Sequence, residues 1–113
     1  MDLRVTSAIW VGALIRRYQS AGAIVTVARR GAAEAGAIYV IVDQLGGDAD
    51  LYGPAPQTFF DETRPSDRKL QRILEATNLA AVSERLDKEV RFDPDLWIVA
   101  VEDRQGRVLF DVG

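Results

Sequence analysis

A chain of 113 residues suits one domain and is too short for two ordinary ones, and 48% hydrophobic with 27% charged residues is the balance of a protein that buries a core. It contains neither cysteine nor histidine, which excludes disulfides, thiolate ligands, cysteine nucleophiles, Ser-His arrangements and most zinc sites. A formal net charge of −3 argues against nucleic acid as a partner, since phosphate backbones favour basic surfaces.

No leader-like start and no apolar run near the roughly 20 residues that span a bilayer is found. The expectation is therefore one cytoplasmic domain over residues 1–113, with no cofactor, no metal and no membrane contact.

In chain order, Thr6 or Ser7 caps a first helix running to about Ser20, whose apolar positions Val11, Leu14, Ile15 and Tyr18 step by three and four. Arg16 and Arg17 sit in its last turns, where cations suit the negative helix end, and Gly22 supplies the left-handed residue beyond it. Residues 23–30 and 37–43 are rich in β-branched side chains and are separated by Gly31-Ala32-Ala33-Glu34-Ala35-Gly36, which reads as a loop between two antiparallel strands. Gly46-Gly47-Asp48 turns into a short third strand over 49–52. Gly53-Pro54-Ala55-Pro56 then reads as an exposed loop, because prolines lack the amide that a central strand needs.

Ser66 is placed to cap a short helix bearing Leu70, Ile73 and Leu74, and Asn78 a longer one bearing Leu79, Val82, Leu86 and Val90, which ends before Pro94. Residues 96–103 read as a strong strand, and Arg104-Gln105-Gly106 as a turn into a last strand over 107–112. The sum is an α+β domain in the order α-β-β-β-α-α-β-β: an antiparallel sheet of about five strands, with an N-terminal helix and one or two later helices packed on it. The strands at 37–43 and 96–103 are apolar on both faces, so the sheet needs cover on two sides, from its own helices or from a second copy.

Asp48-Ala49-Asp50-Leu51-Tyr52-Gly53 starts like a calcium loop but has Tyr52 at the fifth position and Phe59 at the twelfth, so it reads as a turn. The acids Asp61-Glu62, Asp93 with Asp95, and Glu102-Asp103 could hold Mg²⁺ if folding joined two of these pairs. Arg16-Arg17 and Arg29-Arg30 could grip a phosphate or carboxylate if they converge, and Arg64-Pro65-Ser66-Asp67-Arg68 offers the same choice. Helix-end charges, an edge-strand guard and helix capping are the simpler account of these arginines. Trp10 and Trp97 fall in apolar patterns and read as core, and no glycine-rich phosphate loop is present.

Ile9-Trp10-Val11 with Arg16-Arg17, Arg29-Arg30-Gly31, Ala35-Gly36-Ala37-Ile38, Gly53-Pro54-Ala55-Pro56-Gln57, Arg64-Pro65-Ser66-Asp67-Arg68 and Arg91-Phe92-Asp93-Pro94-Asp95-Leu96-Trp97, followed by Glu102-Asp103, occur in an order that resembles the small alphaproteobacterial family called domain of unknown function 1491. The resemblance covers nearly the whole chain and implies a bacterial cytoplasmic protein, with no activity, cofactor or site residue to carry over. It draws attention to Arg64, Asp67, Arg68, Asp93 and Asp95.

The absence of histidine and cysteine, with the doubly apolar sheet, points to a non-catalytic interaction module, a homodimer or an adaptor for another protein. The alternative is a carboxylate-dependent enzyme or anion binder, using Asp93, Asp95 and Glu102 with Mg²⁺ or Arg64 and Arg68 with phosphate.

Overall fold

The computed structural model describes residues 5–56 and 68–113. The helix capped by Thr6 and the expected Ser66 helix cap stand differently here: Thr6 lies within the described residues and Ser66, with Arg64 and Asp67, outside them. Helix α1 spans Ser7–Ser20, β1 Ile24–Arg29, β2 Ile38–Asp43, β3 Ala49–Pro54, β4 Leu70–Thr77, α2 Leu79–Phe92 and β5 Trp97–Glu102. Both expected long helices form where the periodicity and caps place them. The Thr6 side chain accepts from the Ile9 amide at 3.3 Å and Asn78 from the Ala81 amide at 2.8 Å, each satisfying a free donor of a first turn. Beyond α1, Gly22 takes φ +87°, a backbone that a side chain would strain.

The five strands make one mixed, mostly antiparallel sheet in the order β1-β5-β2-β3-β4. β2, β3 and β4 form an antiparallel meander, and α2 carries the chain back so that β5 enters between β1 and β2. That crossover makes β5 parallel to β2, the geometry a helical connection permits and a tight turn does not. β1 and β2 are therefore not hairpin partners, as their spacing suggested; each pairs with β5.

Three further expectations are corrected. Residues 70–77 form a strand, not a helix, and the helix-like spacing of Leu70, Ile73 and Leu74 comes from a bulge: Tyr52 opposes Arg72 while Leu51 opposes Leu74, so an extra residue resets the alternation. Leu70 thus joins the core on one face while Ile73 and Leu74 pack on the other. No strand ladder forms over 107–112, because both edges of β5 are already taken by β1 and β2; this segment makes only a single parallel bridge, Val112 to Leu70. Third, β3 runs on through Gly53 to Pro54, which its ladder with β2 has left by Tyr52, so proline's missing amide costs that ladder nothing.

The central strands are covered on both faces within the chain. On one, Val11, Leu14 and Tyr18 of α1 and Phe110 of the last segment pack on Ile38, Val40, Val42, Trp97, Val99 and Val101. On the other, Val82 and Leu86 of α2 pack on Tyr39, Ala49, Leu51 and Leu96. β1 alone stays largely in solvent, with Ile24 62% exposed. Residues 31–36 pass so close to the start of β5 that a Cβ on Gly31 would lie 2.3 Å from the Asp95 carbonyl oxygen, and the Trp97 indole N–H donates to Ala32 O at 2.8 Å.

Candidate functional site

Two long-range polar assemblies and one cleft organise the polar side chains of the fold, and of the charged residues singled out in the sequence they hold Arg17, Arg68 and Asp103. The first assembly fixes the segment after β5. Asp103 is buried, and Arg107 donates to it through Nε at 2.8 Å and Nη2 at 3.1 Å, a forked pair across the turn that Gly106 closes. Those bonds hold the Asp103 carboxyl down at about 2. Arg107 Nη2 also reaches the Ala21 carbonyl at the end of α1. The fully buried Tyr18 donates to Arg107 O at 2.8 Å and accepts from the Leu109 amide at 3.1 Å, and burial raises its pKa. These side chains stand in for the ladder that residues 107–112 lack.

The second assembly lies on the other face. Tyr39 donates to Glu89 of α2 at 3.0 Å, and Arg85 donates to the second oxygen of the same carboxylate at 2.9 Å. Burial first, and the Glu89 hydrogen bond second, push the Tyr39 phenol up to about 12, while the Arg85 hydrogen bond lowers Glu89.

Between α1 and residues 108–111 lies a cleft of about 480 Å³, lined among the described residues by Trp10, Arg17, Arg68, Val108, Leu109, Phe110 and Asp111. Trp10 and Arg17 are two helical turns apart, which puts both on one face of α1. Arg17 donates from Nη1 to the Leu109 carbonyl. Arg68, just before β4, is half-buried and donates to Ser7 Oγ at 3.0 Å, Gly36 O at 3.4 Å and Val5 O at 3.5 Å; burial lowers its pKa, yet a guanidinium remains a cation. The amides at the start of α1 are occupied as well, Ser7 N by Glu34 O at 3.1 Å and Ala8 N by Ala33 O at 2.9 Å, and among the described residues the charged lining of the cleft consists of Arg17, Arg68 and Asp111.

Of the residues expected to meet, Arg17 and Arg68 share this cleft. Arg16 lies back over Gly12 on the surface of α1. Arg29 goes instead to the Pro94 carbonyl at 2.8 Å, and Arg30 lies over the Trp97 ring, 5.6 Å from its centroid. Asp93 accepts from the Asp95 amide at 3.1 Å and so closes the turn between α2 and β5. Glu102 is exposed at the far end of β5, about 23 Å along the chain from Asp95 at about 3.3 Å per residue. Of the carboxylates named for Mg²⁺, Asp93 and Asp95 thus stand at one end of that strand and Glu102 with Asp103 at the other, while Asp61 and Glu62 lie outside the described residues; no group of three or more acidic side chains that could hold a metal occurs among the described residues. Asp50 of the aborted calcium motif accepts from the Ala76 amide at 2.7 Å and fixes the bulged end of β4.

Sequence reasoning missed Asp111 and read Trp10 as core only. The seven-residue interval from Trp10 to Arg17 was a usable signal, since it aligns an aromatic and a cation on one helix face. Nothing local announced that residues 108–111 would form the opposite wall.

Among the described residues no helix is long and apolar enough to cross a membrane. No match is found among curated proteins. The fold and sequence are similar to the solution structure of a protein from A. tumefaciens, 39% identical with a TM-score of 0.79 over 88% of this chain and 86% of that one. A DUF1491 family protein from Caulobacter crescentus is similar in its crystal structure, at 35% identity and TM-score 0.79 over 98% of this chain and 99% of that one. The NMR structure of a DUF1491 family protein from Caulobacter crescentus is similar at 35% identity and TM-score 0.79, over 99% of each chain. The model of a family described as protein of unknown function matches residues 5–111, as the six ordered stretches implied, and the chain belongs to that family, DUF1491.

Proposed function

We propose that the protein is a non-catalytic interaction module that works as a homodimer joined through β1. The observation that carries this reading is the state of that strand. Among the described residues β1 pairs with β5 on one side only, and its positions from Ile24 to Ala28 are uncharged and mostly exposed. The other edge, β4, is partly occupied by the Val112 bridge and carries Arg72 and Glu75 outward. An uncharged, β-branched edge with free backbone donors and acceptors is a template for another strand.

A second copy is the occupant whose chemistry matches. Antiparallel pairing of two β1 strands about a two-fold axis sets Arg29 beside Ile24 of the partner subunit. Ile24 is the cross-strand neighbour of Glu102 within each chain. Opposite charges therefore fall at both ends of an apolar middle, an arrangement that suits an isologous contact. A contact of one short strand is at the small end of the interface range, under about 1,200 Å², so the association is weak and concentration-dependent.

Sedimentation and light scattering from micromolar to millimolar protein test it. The wild type moves from monomer to dimer, Thr26→Lys and Thr26→Glu each stay monomeric, and mixing the two variants restores the dimer, because Thr26 sits mid-strand where like charges repel and unlike charges pair. A wild type that remains monomeric at millimolar concentration, or a Thr26→Lys protein that dimerises equally well, removes the proposal.

A further inference from the structure

We propose that the cleft between α1 and residues 108–111 binds a small molecule bearing an oxyanion, phosphate or carboxylate, whose charge is taken by Arg17 and Arg68 and whose body lies against Trp10. Three parts of the chain far apart in sequence build this wall: α1 brings Trp10 and Arg17, the entry to β4 brings Arg68, and the last segment brings Val108 to Asp111. A core contact does not need two cations to meet there. Arg68 is partly withdrawn from water, and its partners among the described residues are neutral oxygens, two of them at 3.4 and 3.5 Å. Such acceptors orient a guanidinium without neutralising it, and a desolvated cation gains most from an anion. The Leu109 carbonyl takes one N–H of Arg17, and a guanidinium has five.

Charge and size narrow the ligand. Among the described residues two arginines against one acid, Asp111, make the lining positive although the whole chain carries −3. A cleft of about 480 Å³ exceeds the needs of a bare ion and lies in the range of about 300–1,000 Å³ that holds small organic ligands. Within a lining that is mostly polar, Trp10 and Val108 offer apolar surface for the rest of such a molecule.

Fluorescence titration reads the site, because Trp10 lines the cleft while Trp97 is buried at 3% exposure with its N–H engaged. The probes are inorganic phosphate, acetate, phenyl phosphate and benzoate at fixed ionic strength. Phenyl phosphate or benzoate binds more tightly than its bare counterpart, and the better of the two identifies the source of the oxyanion. Arg17→Gln and Arg68→Met each weaken binding by about tenfold, the loss of one charge-assisted hydrogen bond. Asp111→Asn tightens it, a gain that damage to the fold cannot produce. Arg68→Met also loosens Ser7, so Arg17→Gln and Asp111→Asn, both on exposed residues, decide the matter if that variant unfolds. The proposal is overturned if none of the four probes perturbs Trp10 at millimolar concentration, or if affinity is unchanged in Arg17→Gln and not raised in Asp111→Asn.

Discussion

On the α1 side of the sheet the core is closed partly by a segment with no ladder of its own, and Phe110 is held over Tyr52, ring centroids 5.1 Å apart and nearly perpendicular, by hydrogen bonds from Tyr18, Arg17 and Arg107. On the α2 side an amphipathic helix closes the core through Val82 and Leu86, with the Tyr39–Glu89–Arg85 bonds at its margin. The first closure depends on directional polar contacts made over long sequence separations. The second depends on apolar periodicity, which tolerates small displacements. The two faces should therefore respond differently to the same kind of damage.

Truncating one buried leucine on each face makes the largest difference. Leu51 is 0% exposed beneath α2 and Leu14 1% exposed in α1, and Leu→Ala at such sites costs about 2–5 kcal/mol, depending on how far the surroundings collapse. The segment carrying Phe110 is tied at a few points only and can settle toward a vacancy, whereas Leu51 lies in a strand paired on both sides. Leu51→Ala is expected near the upper end and Leu14→Ala near the lower, by urea unfolding of the two variants. A larger loss for Leu14→Ala would mean that residues 107–113 are as rigid as a sheet strand.

Removing one hydroxyl breaks the α1 side in a way the α2 side does not match. Tyr18→Phe strips a donor from the Arg107 carbonyl and an acceptor from the Leu109 amide, leaving both with poor access to water. The expected cost is about 1–3 kcal/mol. Amide exchange sharpens the reading: protection should fall at Leu109 and along residues 107–113 while α2 keeps its own. Uniform loss over the whole sheet would show that the clasp is not a local one.

The same contrast explains what could be read from the sequence. Both helices were legible, with their caps Thr6 and Asn78, because capping and a step of three and four are local rules. The doubly apolar strands correctly required two covers, and central β2 and β5 have them. Insertion of β5 between β1 and β2 was not legible, since nothing near Gly31 to Gly36 records that a strand some sixty residues later will separate its neighbours. That single event also denied residues 107–112 a ladder. The strand at Leu70 was misread because a bulge at Ile73 imitates helical spacing. At the cleft, the cations were named but their grouping was not: Arg17 meets Arg68 rather than Arg29 because the α1 face and the entry to β4 adjoin in space, a fact of topology and not of spacing.

At neutral pH the two polar assemblies are both intact, and the most displaced group of each titrates with the opposite sign. The Asp103 carboxyl, ordinarily near 3.8, lies at about 2 in the fold because Arg107 donates to its charged form. Its contribution to stability is whole above the ordinary value and is lost as pH falls through about 2. The Tyr39 phenol moves the other way, from 10 to about 12, through burial and its bond to Glu89. Its contribution is whole below 10 and is lost as pH rises through about 12. Acid thus removes the Asp103 contribution from the α1 side and alkali the Tyr39 contribution from the α2 side, while Glu89, lowered on the α2 side, adds to the acid limb and Tyr18, raised on the α1 side, adds to the alkaline one. Melting temperatures across both limbs at fixed ionic strength check this: Asp103→Asn lowers stability at neutral pH and flattens chiefly the acid limb, while Tyr39→Phe flattens chiefly the alkaline limb and the acid limb to the smaller extent that it releases Glu89. If either variant flattens both limbs equally, the faces are coupled through the shared strands β2 and β5, and the closures are not independent.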